Sequence, residues 1–132
     1  MENTPIVALW VTALFALMSV PMSISVGLRR VETGILLLHG DDDVLLRRMR
    51  AHGNFVEYVP LALLALAGAE IAGAAKWLLL SCGAVLILAR LIHYFGLRAA
   101  ADSKGRLIGA ALTSVTTLAL GCTILWLIVK LS

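Results

Sequence analysis

Apolar residues dominate four long stretches of the chain, and short polar segments separate them. The stretches cover roughly residues 6–28, 55–75, 77–97 and 107–131. Each has about 20 residues or slightly more, which is enough for a helix to cross a hydrocarbon layer of about 30 Å. The pattern therefore predicts four transmembrane helices, and the second begins before its apolar stretch, near residue 43.

The composition excludes a soluble protein. Of the 132 residues, 61% are hydrophobic and only 14% are charged, which is too little polar surface to cover a soluble globule. The first apolar run has no basic segment before it and is too long for the core of a cleavable signal peptide, so we expect it to stay as the first helix. The expected fold is an all-α integral membrane bundle of four helices, one domain over residues 1–132.

Basic residues cluster at one end of this bundle. By the positive-inside rule the segments 29–54 and 98–106 face the cytoplasm and both termini lie outside. The opposite end has only Lys76 and Lys130. Because the basic residues flank membrane segments and form no stripe on a soluble face, they do not indicate nucleic-acid binding. The clustered residues are Arg29, Arg30, Arg47, Arg48, Arg50, Arg98, Lys104 and Arg106.

The polar segment before the second helix contains HGDDD at residues 39–43. Aspartates favour the N-cap and first turn of a helix, so this run predicts that the second helix starts near Asp43 and extends beyond the bilayer. Small residues such as Gly109 and Ala110 on the fourth helix allow close helix contact. Four short helices rarely enclose a ligand alone, so we expect a homo-oligomer.

A polar stripe runs along the start of the second helix. Arg50, Asn54 and Glu57 are spaced by four and three residues, so at about 100° per residue they project within one narrow arc. Arg47 joins them one turn earlier. We call these four residues the polar stripe.

Two further polar residues, Arg90 and His93, lie inside the third helix. A charge at a helix centre costs about 2.5–3.5 kcal/mol on insertion scales, so such residues normally face a partner within the bundle. Glu57 lies at a similar depth and is the predicted partner of Arg90, and a purely structural ion pair is one interpretation of these two. Glu70, near the opposite end, is expected to meet water or Lys76.

The polar stripe and Arg106, which opens the fourth helix at the same end, together offer guanidinium groups, an amide and a carboxylate. Arginine matches a carboxylate bidentately, and Glu57 can accept from an ammonium group. The complementary ligand is a small zwitterion with more than one carboxylate, a description that a γ-glutamyl tripeptide fits. Cys82 and Cys122 provide neither a disulfide framework nor metal-ligand spacing.

The second helix carries a run that resembles the signature of the membrane-associated proteins in eicosanoid and glutathione metabolism. This family includes leukotriene C synthase and microsomal glutathione transferase. The segments 27–30 and 89–93, together with Arg106, extend the resemblance over most of the chain. The residues of the run are Arg50, Ala51, Asn54, Glu57, Tyr58 and Pro60.

The resemblance implies a homotrimer that binds glutathione as co-substrate between neighbouring subunits, in the cytoplasmic half of the membrane. It assigns stabilisation of the glutathione thiolate, the catalytic role, to Arg106, and one of Arg29 and Arg30 is expected to enter the site. The glutathione-binding residues that it implies are Arg29, Arg30, Arg50, Asn54, Glu57, Tyr58, Arg90, His93 and Tyr94.

Two departures from the family bear on the substrate. His93, followed by Tyr94, stands where leukotriene C synthase has a tyrosine, and the residues after Arg106 lack the serine and tyrosine of prostaglandin E synthase. The resemblance therefore favours lipophilic electrophiles over eicosanoids. The leading hypothesis is a glutathione transferase, with glutathione peroxidase activity as an option. The alternatives are a non-catalytic lipid-binding member and a small transporter that uses Glu57, Arg90 and His93.

Overall fold

The computed structural model describes residues 4–100 and 102–132, and within them it contains four α-helices. All four are long and apolar enough to cross a membrane. The predicted all-α fold of four membrane-spanning helices is therefore confirmed, while the trimer stays a prediction. The helices are α1 (Ile6–Thr33), α2 (Asp43–Ile71), α3 (Lys76–Ala99) and α4 (Lys104–Leu131).

The ends of α1 and α2 differ most from the predicted ends. α1 continues past residue 28 to Thr33 and stops at Gly34, whose φ of 69° is the left-handed conformation of a helix C-cap. α2 ends at Ile71 rather than at residue 75, and Gly73 adopts a φ of 87° in the link to α3. Hydropathy missed both ends because charged residues extend α1 beyond its apolar run, whereas the turn after α2 is itself apolar.

The start of α2 agrees with the sequence prediction. Asp42 is the N-cap, and its side chain accepts a hydrogen bond from the backbone N–H of Leu45 at 2.7 Å. The guanidinium of Arg29 lies 2.8 Å from the same carboxylate. The Leu45 N–H first, and Arg29 after it, hold the pKa of Asp42 below its ordinary value. The end of α1 is thereby tied to the start of α2.

The middle two helices, α2 and α3, organise the bundle. Each of them contacts all three other helices, whereas α1 and α4 do not pack on each other over the described residues. In the layer between α1 and α2, the rings of Phe15 and Phe55 meet edge to face with centroids 5.6 Å apart. α1 and α4 therefore flank a central pair, and α4 is positioned entirely by α2 and α3.

Glycines bring α4 unusually close to α3. A Cβ at Gly109 would lie 2.5 Å from the carbonyl oxygen of Ala89, and one at Gly96 would lie 2.6 Å from the backbone nitrogen of Arg106. Only glycine fits these positions without moving a helix, which explains the small residues noted in the sequence. The contact fixes the first two turns of α4, including Arg106, against α3.

The position of Glu70 corrects a prediction. Its carboxylate does not meet Lys76 but accepts hydrogen bonds from the backbone N–H groups of Val7 at 2.9 Å and Ala8 at 2.8 Å. These are first-turn donors of α1, whose own N-cap residue, Pro5, makes no side-chain capping bond. Glu70 therefore caps α1 from the far end of α2.

Candidate functional site

A cavity of about 440 Å³ opens between α2, α3 and α4 at the arginine-rich end of the bundle. Its polar lining comes from three helices: Arg47, Arg50 and Asn54 from α2, His93 from α3, and Arg106 from α4. The volume lies within the range of about 300–1,000 Å³ that is typical of ligand pockets. Most of the polar stripe and Arg106 thus face one space within a single subunit.

Helical spacing explains why these side chains converge. Arg47, Arg50 and Asn54 follow one another by three and four residues, so they line one face of α2. His93 is buried on the face of α3 that meets α4, and a Cβ at Gly109 would lie 2.6 Å from its backbone nitrogen. The glycine contact between α3 and α4 holds Arg106 at the opposite wall of the cavity.

Arg90 does not pair with Glu57, and that prediction is wrong for the described subunit. The side chain is only 2% exposed. One terminal nitrogen donates to Oδ1 of Asn54 at 2.9 Å, and the other donates to the carbonyl oxygen of Gly109 at 3.1 Å. Arg90 therefore lies behind the cavity and ties α2 to α4 through α3.

This contact has a consequence for Asn54. Arginine can only donate, so the oxygen of the Asn54 amide must face Arg90. The amide NH₂ group is then available to donate to a ligand acceptor in the cavity. Arg90, which was predicted to bind substrate, instead orients a residue that lines the site.

Glu57 and Tyr58 lie outside the cavity, on an exposed face of α2. The Tyr58 ring centroid is 5.9 Å from the guanidinium carbon of Arg90, so this face and the cavity share Arg90 as a neighbour. Glu57 makes no hydrogen bond or ion pair to another described residue. A carboxylate on a membrane-spanning helix is costly unless a cation, a hydrogen-bond donor or water reaches it.

Three other predicted site residues are engaged elsewhere. Arg29 binds Asp42 and Glu32, and Arg30 donates to the carbonyl oxygens of the segment between α1 and α2. Tyr94 accepts a hydrogen bond from Arg98 at 3.2 Å. None of the three lines the cavity, so their role in binding glutathione stays a prediction.

The electrostatics of the cavity favour an anion. Three guanidinium groups, from Arg47, Arg50 and Arg106, line it together with no acidic side chain. The ion pairs among the residues described all involve Arg29, at the neighbouring α1–α2 link. The cavity is therefore a cationic pocket whose charge no described acid neutralises, which suits a ligand bearing carboxylates.

The family of this chain follows from comparison with known proteins. The profile of the MAPEG family matches residues 7–126. The chain belongs to the MAPEG family. It is 37% identical over 90 residues to the inner membrane protein YecN of Escherichia coli K12, a similarity that covers 65% of this chain and 69% of the relative. The YecN protein of E. coli O6:H1 is similar to the same extent.

Membership in MAPEG and the four long apolar helices establish an integral, multi-pass membrane protein.

Part of the cavity wall of this MAPEG chain was not predicted from the sequence. Arg47 was placed on the polar stripe but was not assigned to binding. The apolar lining was not predicted either, although helical spacing from His93 and Arg106 points to it. These apolar residues are Leu46, Leu97, Leu107 and Ala110.

Proposed function

We propose that this MAPEG protein is a glutathione transferase that joins the glutathione thiolate to lipophilic electrophiles dissolved in the membrane. The observation that carries the proposal is the cationic pocket, where Arg50 and Asn54 of α2 face Arg106 of α4 across about 440 Å³. Glutathione carries two carboxylates, one ammonium group and one thiol. Its net negative charge and its size suit this pocket.

The two sides of the pocket have different tasks in this proposal. Arg47, Arg50 and the Asn54 amide bind the carboxylates through charge-assisted hydrogen bonds. Glu57, on the adjacent exposed face of α2, accepts from the ammonium group. Arg90 touches no substrate and keeps the Asn54 amide in the donating orientation.

Arg106 stabilises the thiolate. A free thiol with a pKa near 8.5 is only a few per cent ionised at neutral pH, and a fixed guanidinium lowers that pKa by favouring the anion. The thiol proton leaves to water, since an arginine remains protonated and cannot act as a base. The thiolate sulfur then forms a bond to the electrophilic carbon, and the leaving group departs with the electron pair.

We further propose that the functional unit is a homotrimer with its arginine-rich end in the cytoplasm. Support comes from Glu57 and Arg50, which are exposed on α2 without an ionic partner among the residues described. A neighbouring subunit would cover this face and complete the site. Native mass spectrometry from detergent tests the assembly, and a population of monomers alone would contradict a shared site.

A titration followed by a turnover assay tests the function. Glutathione is titrated into the purified protein by calorimetry, with a glutathione diamide that lacks both free carboxylates as the matched control. Turnover is then measured with chlorodinitrobenzene and a lipid hydroperoxide. Binding of glutathione but not of the diamide, together with conjugation, supports the proposal. Absence of glutathione binding contradicts it.

The second candidate is a non-catalytic lipid-binding protein. It is favoured by a groove of about 230 Å³ between α1 and α2, whose lining is almost entirely apolar and includes Phe15, Phe55 and Val59. Such a groove suits an acyl chain. Glutathione binding without a thiolate absorbance or turnover, together with saturable binding of a fluorescent fatty acid, would favour this candidate over the transferase.

A further inference from the structure

Three consecutive leucines are exposed in the segment that joins α1 and α2. Leu36 is 82% exposed, Leu37 is 83% exposed and Leu38 is 77% exposed. They stand beyond the helix ends, outside the surfaces with which α1 and α2 face the bilayer. Adjacent exposed apolar side chains at such a position mark an interaction surface. We call residues 35–38 the leucine segment.

Contacts with Arg30 fix the conformation of the leucine segment. The guanidinium of Arg30 donates to the carbonyl oxygens of Ile35 at 3.1 Å and Leu38 at 3.0 Å, and it lies 3.3 Å from the sulfur of Met49. Leu38 has a φ of 55°, and among the residues described no other non-glycine residue has a positive φ. Bulky residues rarely adopt this conformation, and they keep it only when their surroundings impose it. Arg30 therefore holds the leucines outward.

The position of the segment along the membrane normal follows from the length of α1. The apolar run 6–28 covers about 34 Å at 1.5 Å per residue, which already exceeds a hydrocarbon layer of about 30 Å. The end of α1, at Thr33, then lies at the level of the lipid headgroups. The exposed apolar face of α1, with Ile24, Leu28 and Val31, leads directly to the segment.

The charge around the segment suits an anionic membrane surface. Arg30 donates only to neutral acceptors, and Arg48 of α2 donates to the carbonyl oxygen of Ser25 at 2.8 Å. Both arginines therefore keep a positive charge that no described acid compensates. Anionic headgroups are attracted to such residues, whereas a symmetric second copy would bring the same charges together.

We propose that the leucine segment is an interfacial anchor, which inserts Leu36, Leu37 and Leu38 among the acyl chains below the headgroups at the arginine-rich end. Arg30 then lies at the level of the headgroups, where it faces the anionic phosphates. The partner is the lipid surface itself. This anchor fixes the mouth of the cationic pocket at the membrane surface, since Met49, which Arg30 contacts, adjoins Arg50 at the pocket wall. It does not depend on the proposed transferase activity.

Spin labels in the full chain test the anchor. A nitroxide is attached at Leu37→Cys, and at Asp41→Cys as the matched control in the same connection, with Cys82 and Cys122 replaced by alanine. The protein is reconstituted in vesicles of phosphatidylcholine and phosphatidylglycerol, and collision rates with oxygen and with a water-soluble nickel chelate are compared. We expect the oxygen-to-nickel ratio to be several-fold higher at position 37 than at position 41. Adding Arg30→Gln should raise the mobility of the label at position 37.

Two results would overturn the proposal. Equal ratios at positions 37 and 41 would place the leucine segment in water. A label at position 37 that neither reagent reaches, with spin coupling between copies, would place it against a second subunit. If the cysteine-free chain does not fold, Leu37→Trp in the natural background replaces the labels. Extra fluorescence quenching by lipids brominated near the glycerol supports the anchor, and no extra quenching contradicts it.

Discussion

Two glutamates at opposite ends of α2 have opposite surroundings. The carboxylate of Glu70 accepts hydrogen bonds within the subunit, from the backbone N–H groups of Val7 and Ala8. Glu57 is exposed and has no ionic partner among the residues described. Both are acids on the same membrane-spanning helix, where a charge is costly without a partner.

The arginines repeat this contrast. Arg90 is 2% exposed, and its terminal nitrogens are taken by Asn54 and Gly109, whereas Arg50 and Arg106 line a cavity without an acid. Polar groups with internal partners hold the bundle together, and those without them are the candidates for binding. The comparison therefore separates structural from functional charges within one small bundle.

The largest expected effect comes from Arg106→Ala. If Arg106 lowers the thiol pKa by about two units, from about 8.5 to about 6.5, its loss reduces the thiolate fraction at about pH 7 from about three quarters to about 3%, so turnover should fall about 25-fold. The thiolate absorbance of bound glutathione should move towards the titration of the free thiol, while glutathione affinity falls only slightly. Stopped-flow absorbance against pH measures the shift.

The matched control for this variant is Arg98→Ala. Arg98 lies at the same end of the bundle but donates to Tyr94, and its guanidinium carbon is 5.6 Å from that ring. Its loss should leave the thiolate titration unchanged. An unchanged titration in Arg106→Ala as well would remove Arg106 as the activating residue.

The second effect concerns binding. Arg50→Ala and Glu57→Gln each remove one side of a charge-assisted contact worth about 1.5–3 kcal/mol, so the glutathione Kd should rise at least about tenfold. Glu70→Gln, on the same helix, should leave the Kd unchanged because its partners lie within the subunit. Calorimetric titration measures all three. If both Glu57→Gln and Arg50→Ala keep the glutathione Kd of the natural protein, the proposed binding site is contradicted.

These variants also show how far the sequence predicts the structure. The start of α2 near Asp43 with an aspartate cap, and the convergence of Arg50 and Asn54, follow from local sequence patterns, and both were predicted. The capping of α1 by Glu70 was not predicted. Its hydrogen bonds join Glu70 to Val7 and Ala8, which are far away in the chain, and no local pattern reveals such contacts. The partner of Arg90 was missed for a related reason. One acceptor is the backbone carbonyl of Gly109, and a carbonyl leaves no signature in a sequence.

The third effect concerns stability and tests the structural half of the comparison. Glu70→Ala leaves the first N–H groups of α1 without acceptors, and loss of such a cap costs about 1 kcal/mol. The Tm in detergent should fall, while glutathione binding by the folded protein remains. Glu70→Gln keeps one acceptor and should lose less. If Glu57→Ala lowers the Tm as much as Glu70→Ala, the distinction between the two glutamates fails.

The smallest effect belongs to Asp42, which joins the two halves of the comparison by binding both the Leu45 N–H and Arg29. Its pKa in the folded protein lies below the ordinary value of 3.8. The carboxylate therefore contributes stability above that value, and the contribution is lost as the pH falls through the lower, folded pKa.

Asp42→Asn keeps an oxygen for the Leu45 N–H but removes the charge opposite Arg29. We expect the variant to melt slightly below the natural protein at neutral pH, and the difference to shrink below pH 3.8 and to vanish below the lower, folded pKa. Asp41→Asn, the neighbouring exposed aspartate, serves as the control and should show no difference at either pH. A gap between Asp42→Asn and the natural protein that persists in acid would mean that the charge of Asp42 is not what ties α1 to α2.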